Sequence, residues 1–573
     1  MFRRLVIVLV AALLFTGCDS PPPPDVTGEA TPPATAPIEE QVPVAQQPPA
    51  PTETPAPATP TPEPQQVWIA PGVPDPVRQS VRNAMDSIGA LAATDEDSAN
   101  VVVRLVPTGA GGGAQTLATW VYAAVVPFPV MADEITWDDV ERFWQGESDA
   151  LLNISEDDTT PQLYVSSETR EVLEALLGEA DPQASLTEAD DDEILEMAWE
   201  ERPHAWSVVP FDELVPRWKV LRIDDVDLFD RDLDLTSYPL AVDIVVEGDT
   251  DGELASAMAG EGMQLTNRDT DRMTVLIMTG VTALVRATAH EMELNGVLYP
   301  AEYIGPTLQS ADLLHISNEI PFAENCPPPD RNSGSLVFCS DPRYIELLRH
   351  VGADIIELTG NHFQDYGSQA TLDTLEMYRE EGWPYYGGGA DLEDASKAIE
   401  VEHNDNTFSF IGCNPVGPEF AWATAERPGS APCDYEFMHG ELNRLSEEVD
   451  VPIATWQYWE FYHYEPTPQQ QADFRAMVDA GAKIVSGSQA HHPQAIEFYN
   501  DSFIHYGLGN LFFDQMWSIG TRQIVVDRHV IYDGRHLSTE LLTYMLENFS
   551  QPRPTTDAER RQMLSSIFQA SGW

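Results

Sequence analysis

Leu358-Thr359-Gly360-Asn361-His362-Phe363-Gln364-Asp365-Tyr366-Gly367 decides the fold of the C-terminal half. An apolar run at 354–358 leads into it and an amphipathic period at 368–381 leads out, so it reads as the loop from a strand to a helix. In α/β sheets, loops at the carboxyl ends of strands carry function. The side chains suit that place. An Asn amide oxygen can coordinate a hard or borderline cation, and a neutral imidazole beside it can bind a metal or donate to a phosphoryl oxygen. Gly360 and Gly367 permit the tight backbone.

The same alternation extends outward. Strands are predicted at 273–279, 311–317, 407–411, 451–455, 483–486 and 496–499, with helices at 301–310, 342–351 and 468–480. Upstream, strand-like runs at 101–105 and 122–126 alternate with a helical stretch at 167–177, so the N-terminal half is also α/β. Gly109 and Gly111-Gly112-Gly113 follow a predicted strand, where backbone amides could cradle an anion. No Lys-Ser or Lys-Thr follows them, which argues for a turn and against a nucleotide-binding loop.

Before these halves the chain has another character. Arg3 and Arg4, an apolar run at 5–15 and Thr16-Gly17-Cys18 have the layout of an export signal, and the run is too short to span a bilayer. The segment 21–66 is rich in Pro, Ala, Thr, Glu and Gln, without Lys or Arg. It cannot bury a core and is expected to be a semi-rigid spacer with a reach on the order of 100 Å. Thirty Lys and Arg against 94 Asp and Glu give a net charge of −64, which argues against nucleic acid as a partner. Beyond Cys18 there are four cysteines, an even number that favours disulfides in an exported chain. Three connectivities are possible. Cys326 with Cys339 and Cys413 with Cys433 is preferred, because each pair closes a short Pro-containing loop.

Three resemblances follow from these residues. Leu14-Phe15-Thr16-Gly17-Cys18 resembles the lipobox of bacterial lipoproteins, implying cleavage before Cys18, its acylation, and an anchored chain at the extracytoplasmic face of the cell membrane. Tyr122-Ala123-Ala124-Val125-Val126-Pro127-Phe128-Pro129 and Ala205-Trp206-Ser207-Val208-Val209-Pro210-Phe211 resemble a phosphate-type periplasmic solute-binding protein. The loop at 358–367 resembles the Asn-His-x-x-Asp-Tyr-Gly motif of the capsule-biosynthesis (CapA-type) family named for poly-γ-glutamate synthesis. Further matches are Ile504-His505-Tyr506-Gly507-Leu508-Gly509-Asn510-Leu511-Phe512-Phe513-Asp514, Tyr464-Glu465-Pro466 and Ala480-Gly481-Ala482-Lys483. That resemblance implies a calcineurin-like metallophosphatase α/β sandwich. The expected division is a signal peptide at 1–17, a Pro-rich disordered linker at 18–66, a solute-binding-like domain at 67–249, the metallophosphatase-like domain at 270–545 and a partly helical tail at 546–573.

Departures from the family pattern bear on chemistry. Val281 stands where a carboxylate ligand is expected after Gly280, Trp456 where a histidine is expected, and Ser488 and Gln489 where two imidazoles are expected. Glu319 survives in Ser317-Asn318-Glu319-Ile320-Pro321, and period two puts His315, Ser317 and Glu319 on one face if that strand continues. The expected ligands are therefore Glu319, Asn361, His362 and His491, holding at most one divalent ion weakly. The expected catalytic set is His362, Asp365 and His491, with Asp365 orienting His362. The function so implied is handling of an envelope polymer together with capsule-synthesis proteins, by an anchored protein with a degenerate metal site. The rival readings are a metal-dependent hydrolase with rearranged ligands and a solute receptor.

Overall fold

The computed structural model describes residues 64–155, 157–260 and 264–573. The export signal, Cys18 and the Pro-rich segment as far as residue 63 lie outside the described residues.

In the N-terminal half, apolar runs buried on both faces form the middle of a nine-stranded mixed sheet. Val101–Pro107, Ala241–Glu247, Gln115–Pro127 and Ala205–Pro210 lie side by side there. The helix Ser167–Leu177 spans the residues predicted, and its N-cap Ser166 accepts from the Thr169 amide. The glycine-rich turn after Pro107 is satisfied from within. Gly109 N–H donates to Asp243 Oδ2 at 2.9 Å, so this amide is not offered to an anion.

The C-terminal half is two sheets packed face to face. One has eight strands in the order Tyr385–Tyr386, Ile355–Glu357, Leu313–Asn318, Met273–Thr282, Gln523–Tyr532, Arg535–Glu547, Gln551–Pro554, with Asn510–Phe512 also paired to Met273–Thr282. The other has six, in the order Ile399–His403, Asn406–Cys413, Val451–Gln457, Ile484–Ser488, Ser502–His505, Ile496–Tyr499. Leu276, Met278, Ile355, Phe410, Ile453, Ile484 and Val525 fill the space between them. Helices Ala301–Gln309, Ile345–Val351 and Gly367–Glu381 cover the first sheet outside, and Tyr435–Glu448 and Pro468–Asp479 cover the second. The result is a helix–sheet–sheet–helix sandwich, the layering implied by the resemblance. In each sheet, neighbouring parallel strands end at the same edge: Met273–Thr282 with Leu313–Asn318 and Ile355–Glu357, and Val451–Gln457 with Ile484–Ser488.

Both preferred disulfides form. Cys326–Cys339 and Cys413–Cys433 have Cα separations of 5.8 and 5.0 Å and each stabilises by roughly 3 kcal/mol in the chain-entropy view. Residues 546–573, expected to be a tail, are instead part of the sandwich. Gln551–Pro554 extends the eight-stranded sheet, and Asp557–Ala570 buries a helical stripe of Met563, Leu564, Ile567 and Phe568 in the space between the sheets.

The two halves share their apolar interior. Phe128 of the first packs edge-on against Phe498, Phe503, Phe568 and Trp573 of the second, and Phe211 meets Tyr532 at 5.1 Å. Charges cross the same seam. Asp133 accepts from Lys219 at 3.1 Å and from Arg560 at 2.6 and 2.8 Å. Burial pushes Asp133 upward, but its two cations outweigh this and hold the carboxyl down at about 2. Lys219, more deeply buried, loses more hydration than Asp133 returns and falls to about 8.

Because the folded carboxyl titrates below its unfolded value, the unfolded chain binds more protons at acid pH. The stability Asp133 contributes is therefore full above about pH 4 and disappears as pH falls through 2. Asp133→Asn is expected to cost about 2–3 kcal/mol in urea unfolding, below the value for a fully buried pair because Asp133 keeps 29% side-chain exposure. The variant should also show a shallower loss of stability between about pH 4 and 2; an unchanged acid limb would contradict the assignment.

Candidate functional site

The carboxyl ends of the parallel strands converge where the sheets meet. Leu313–Asn318 delivers Glu319, Ile355–Glu357 delivers the loop 358–367, Val451–Gln457 delivers Gln457, and Ile484–Ser488 delivers Gln489 and His491. The loop is pressed on Glu319 so closely that a Cβ on Gly360 would lie 2.7 Å from the Glu319 Cα.

Glu319 is buried and receives a 3.5 Å hydrogen bond from Gln457 Nε2. Burial raises its pKa, an effect that the nearby His362 only partly offsets. The same Gln457 nitrogen donates to Asn361 Oδ1 at 3.3 Å and to Gln489 Oε1, while Gln457 Oε1 accepts from Ser488 at 3.1 Å. Four polar side chains are thus tied through one amide. The Ser488 hydroxyl also lies 3.2 Å from Glu357, a second buried carboxyl with a raised pKa.

The imidazoles are fixed by partners of their own. His362 donates from Nδ1 to Asp365 Oδ2 at 2.7 Å, and Asp365 also accepts from the Phe338 amide at 2.8 Å. Burial alone would lower His362, but the bond to Asp365 and the Glu319 charge prevail and raise it. Phe338 packs on the His362 ring at 4.3 Å. His491 donates from Nδ1 to Asn510 Oδ1 at 2.7 Å, and burial brings its pKa down to about 4. Asp365 holds the His362 ring, Gln457 links Glu319 to Asn361, and the His362 charge acts on Glu319.

Other expectations are revised. His315 lies in the interior, stacked on Phe410 with Nε2 2.7 Å from the Tyr386 hydroxyl, and is a core residue. Trp456 is not the residue that faces the site. Its indole points to the outer side of its sheet, among Phe474, Tyr458 and Tyr435, and Gln457 faces inward in its place. Strand parity agrees with this: Thr455, two positions before Gln457, bonds the interior Tyr386 hydroxyl. Sequence reasoning also passed over Asn510, which orients His491, and Arg286. The Arg286 guanidinium pairs with both oxygens of Asp514 and lies over Phe338 and Phe513.

The donor set does not fit a two-metal centre. Val281, at the expected carboxylate position, joins Ile320, Phe338 and Phe513 in an apolar patch. Among the described residues no group of three or more His, Cys, Asp or Glu side chains is gathered closely enough to hold a metal ion. An ion approaching Glu319 would meet neutral amides already bonded to one another. A bridged pair of ions needs several anionic or imidazole ligands.

The sequence that builds this site is shared with known proteins. Residues 275–515 match the family of the bacterial capsule synthesis protein. The match covers less than half of the chain. The capsule biosynthesis protein CapA of Bacillus anthracis is 26% identical over 302 residues, 51% of this chain and 72% of the relative. The PGA biosynthesis protein CapA of Bacillus subtilis strain 168 is 27% identical over 236 residues, 41% of this chain, and the match spans only 61% of that relative's length. Among solved structures, a 5'-nucleotidase precursor from Thermus thermophilus aligns over 52% of this chain and 58% of its own, at 15% identity and a TM-score of 0.32. An ABC-type phosphate transport receptor from Vibrio cholerae aligns over 34% of this chain and 93% of its own, at 11% identity and a TM-score of 0.28.

Metal analysis of the full chain should find less than one tightly retained divalent ion. Treatment with a mild chelator should leave its unfolding temperature unchanged, because binding free energy that is not present cannot be lost. Two ions retained through dialysis, with a fall in unfolding temperature on chelation, would contradict the reading of the donor set.

Proposed function

We propose that this chain is an extracytoplasmic lipoprotein, anchored to the membrane through acylated Cys18, whose capsule synthesis domain handles an envelope polymer during its synthesis, export or retention. The observation that carries the reading is the match of residues 275–515 to the bacterial capsule synthesis family. The names of the Bacillus relatives support a polymer of the poly-γ-glutamate type and capsule-synthesis proteins as partners. Among the described residues no helix is long and apolar enough to cross a membrane, so the lipid on Cys18 is the anchor in this reading. The Pro-rich segment would then hold the folded part away from the bilayer. The N-terminal α/β half serves as a docking or solute-binding module.

The domain acts on its polymer without phosphoester turnover. A metal-dependent hydrolase is the second reading, favoured by the His362–Asp365 hydrogen bond. A carboxylate on Nδ1 fixes the tautomer and leaves Nε2 to take or give a proton.

Cys18→Ala in a bacterial host tests the anchoring. The variant is expected to leave the membrane fraction, to take up no fatty-acid label and to reduce cell-associated polymer. Unchanged fractionation together with unchanged labelling would refute the anchor.

A further inference from the structure

The cations along the seam between the two halves are matched to carboxylates, with an exception. Lys219 and Arg560 meet Asp133, Arg528 meets Asp227 and Glu540, Arg475 meets Glu497, and Arg217 meets Glu196. Arg202 meets no carboxylate among the described residues. Its guanidinium donates to the Trp199 carbonyl oxygen and lies over the Trp199 ring at 5.1 Å, and Arg217 takes the same ring at 4.7 Å. Burial, and then the like charge of Arg217, hold the Arg202 pKa below its ordinary value. In a chain with 94 acidic residues against 30 Lys and Arg, this half-buried guanidinium keeps most of its five donors without an anion.

Arg202 lines a cavity of about 420 Å³ whose walls come from both halves, Pro129, Val130 and Met131 from the first and Phe568 and Trp573 from the second. That volume suits a small solute. Trp573 meets Trp199 edge-on at 5.7 Å, so the ring that carries Arg202 abuts the cavity wall. Trp573 also borders a neighbouring cavity of about 630 Å³, but the arginines there, Arg217 and Arg475, are already paired.

The rest of the lining narrows the ligand. It includes one carboxylate, the exposed Glu200, and two exposed polar side chains, Ser565 and Gln569. A cation lacking an anion, a carboxylate two residues before it and an apolar wall match the three parts of an amino acid: carboxylate, ammonium and stem. Such a zwitterion has no net charge, so the field of a chain carrying −64 does not oppose its entry. The glycine-rich turn of this half offers no rival site at Gly109, whose amide Asp243 already takes.

We infer that this seam cavity binds an amino-acid head group, a carboxylate beside an ammonium on an aliphatic stem. Arg202 receives the carboxylate, Glu200 the ammonium, and Val130, Met131 and Phe568 the stem. The inference rests on the reading of the N-terminal half as a solute-binding module and names its ligand class and place. Two sources present that head group. One is a free amino acid, and the other is the amino end of a γ-linked glutamate chain, whose α-ammonium and α-carboxylate are both left free.

The full chain in detergent tests it, by calorimetry and tryptophan fluorescence. The probes are L-leucine, its deaminated analogue 4-methylpentanoate, its decarboxylated analogue 3-methylbutylamine, and a γ-linked glutamate trimer. Leucine or the trimer is expected to bind saturably, 4-methylpentanoate more weakly than leucine, and 3-methylbutylamine not at all, because Arg202 supplies the charge-assisted bonds. Arg202→Gln should weaken the binding about tenfold or more, and Glu200→Gln should bring leucine down to the level of 4-methylpentanoate. Ser565→Trp, at an exposed position of the lining, should block every probe, with urea unfolding reporting that each variant keeps its fold. Binding of the trimer, lost in the same variants, identifies the polymer end as the source, and binding of leucine alone identifies a free amino acid. Saturable leucine binding unchanged in Arg202→Gln and in Ser565→Trp overturns this site and leaves the solute-binding reading standing. Binding of 3-methylbutylamine as tight as that of leucine overturns the role of Arg202. No binding of any probe by the folded chain overturns the inference together with the solute-binding reading for this ligand class.

Discussion

Neighbouring strand ends of the eight-stranded sheet can approach as they do here because backbone touches backbone with no side chain between. A Cβ on Gly280 would collide with the Gly509 carbonyl oxygen, and one on Gly360 would meet Glu319 Cα at 2.7 Å. Contacts that short admit no methyl group, so these positions fix how far the loop after Ile355–Glu357 and the segment before Asn510–Phe512 can approach the strand ends beside them. The geometry around Glu319 follows from that approach. Asn361 and His362 arrive on the loop that follows Gly360, and Gln457 reaches the carboxyl from the other sheet.

Within that frame the groups around Glu319 are mostly uncharged. A dinuclear centre concentrates negative and basic ligands whose mutual repulsion the metal ions relieve. The corresponding region here holds amides in place of charges, and Gln457 alone bonds Glu319, Asn361 and Gln489. Such a network is stable without an ion, because neutral donors and acceptors satisfy one another at little desolvation cost. Val281 belongs to an apolar patch whose Phe338 and Phe513 pack on His362 and His491. The ionisable groups here include Glu319, pushed upward by burial, and the His362–Asp365 pair.

The N-terminal half is joined to this domain through a shared apolar seam and not through a bare linker. Phe128 inserts among aromatic residues from separate elements of the C-terminal half, and the Asp133, Lys219 and Arg560 charges close over the same contact. Arg528 repeats the pattern with Asp227 and Glu540. An interface with an aromatic centre and paired charges resists hinge motion. The helix Asp557–Ala570 takes part on both sides: Arg560 reaches Asp133, and Phe568 meets Phe128.

Periodicity and local chemistry determined much of this protein without help. The strands and helices flanking the loop 358–367, the helix Ser167–Leu177, the pairing of four cysteines across short loops and the orienting role of Asp365 three residues after His362 are all local in sequence. A reading by window and spacing therefore reached them. The tertiary structure decided matters that depend on residues distant in the chain. It turned Trp456 outward and Gln457 inward, because only pairing with Ile484–Ser488 shows which face of that strand meets the other sheet. It committed His315 to the core by stacking it on Phe410, a residue of the opposite sheet far along the chain. It drew residues 546–573 into the sandwich, since an amphipathic stripe shows that a helix will be buried but not against what. The character of the site belongs to the same class: an amide is an ordinary surface residue until converging strand ends place it beside a buried carboxyl.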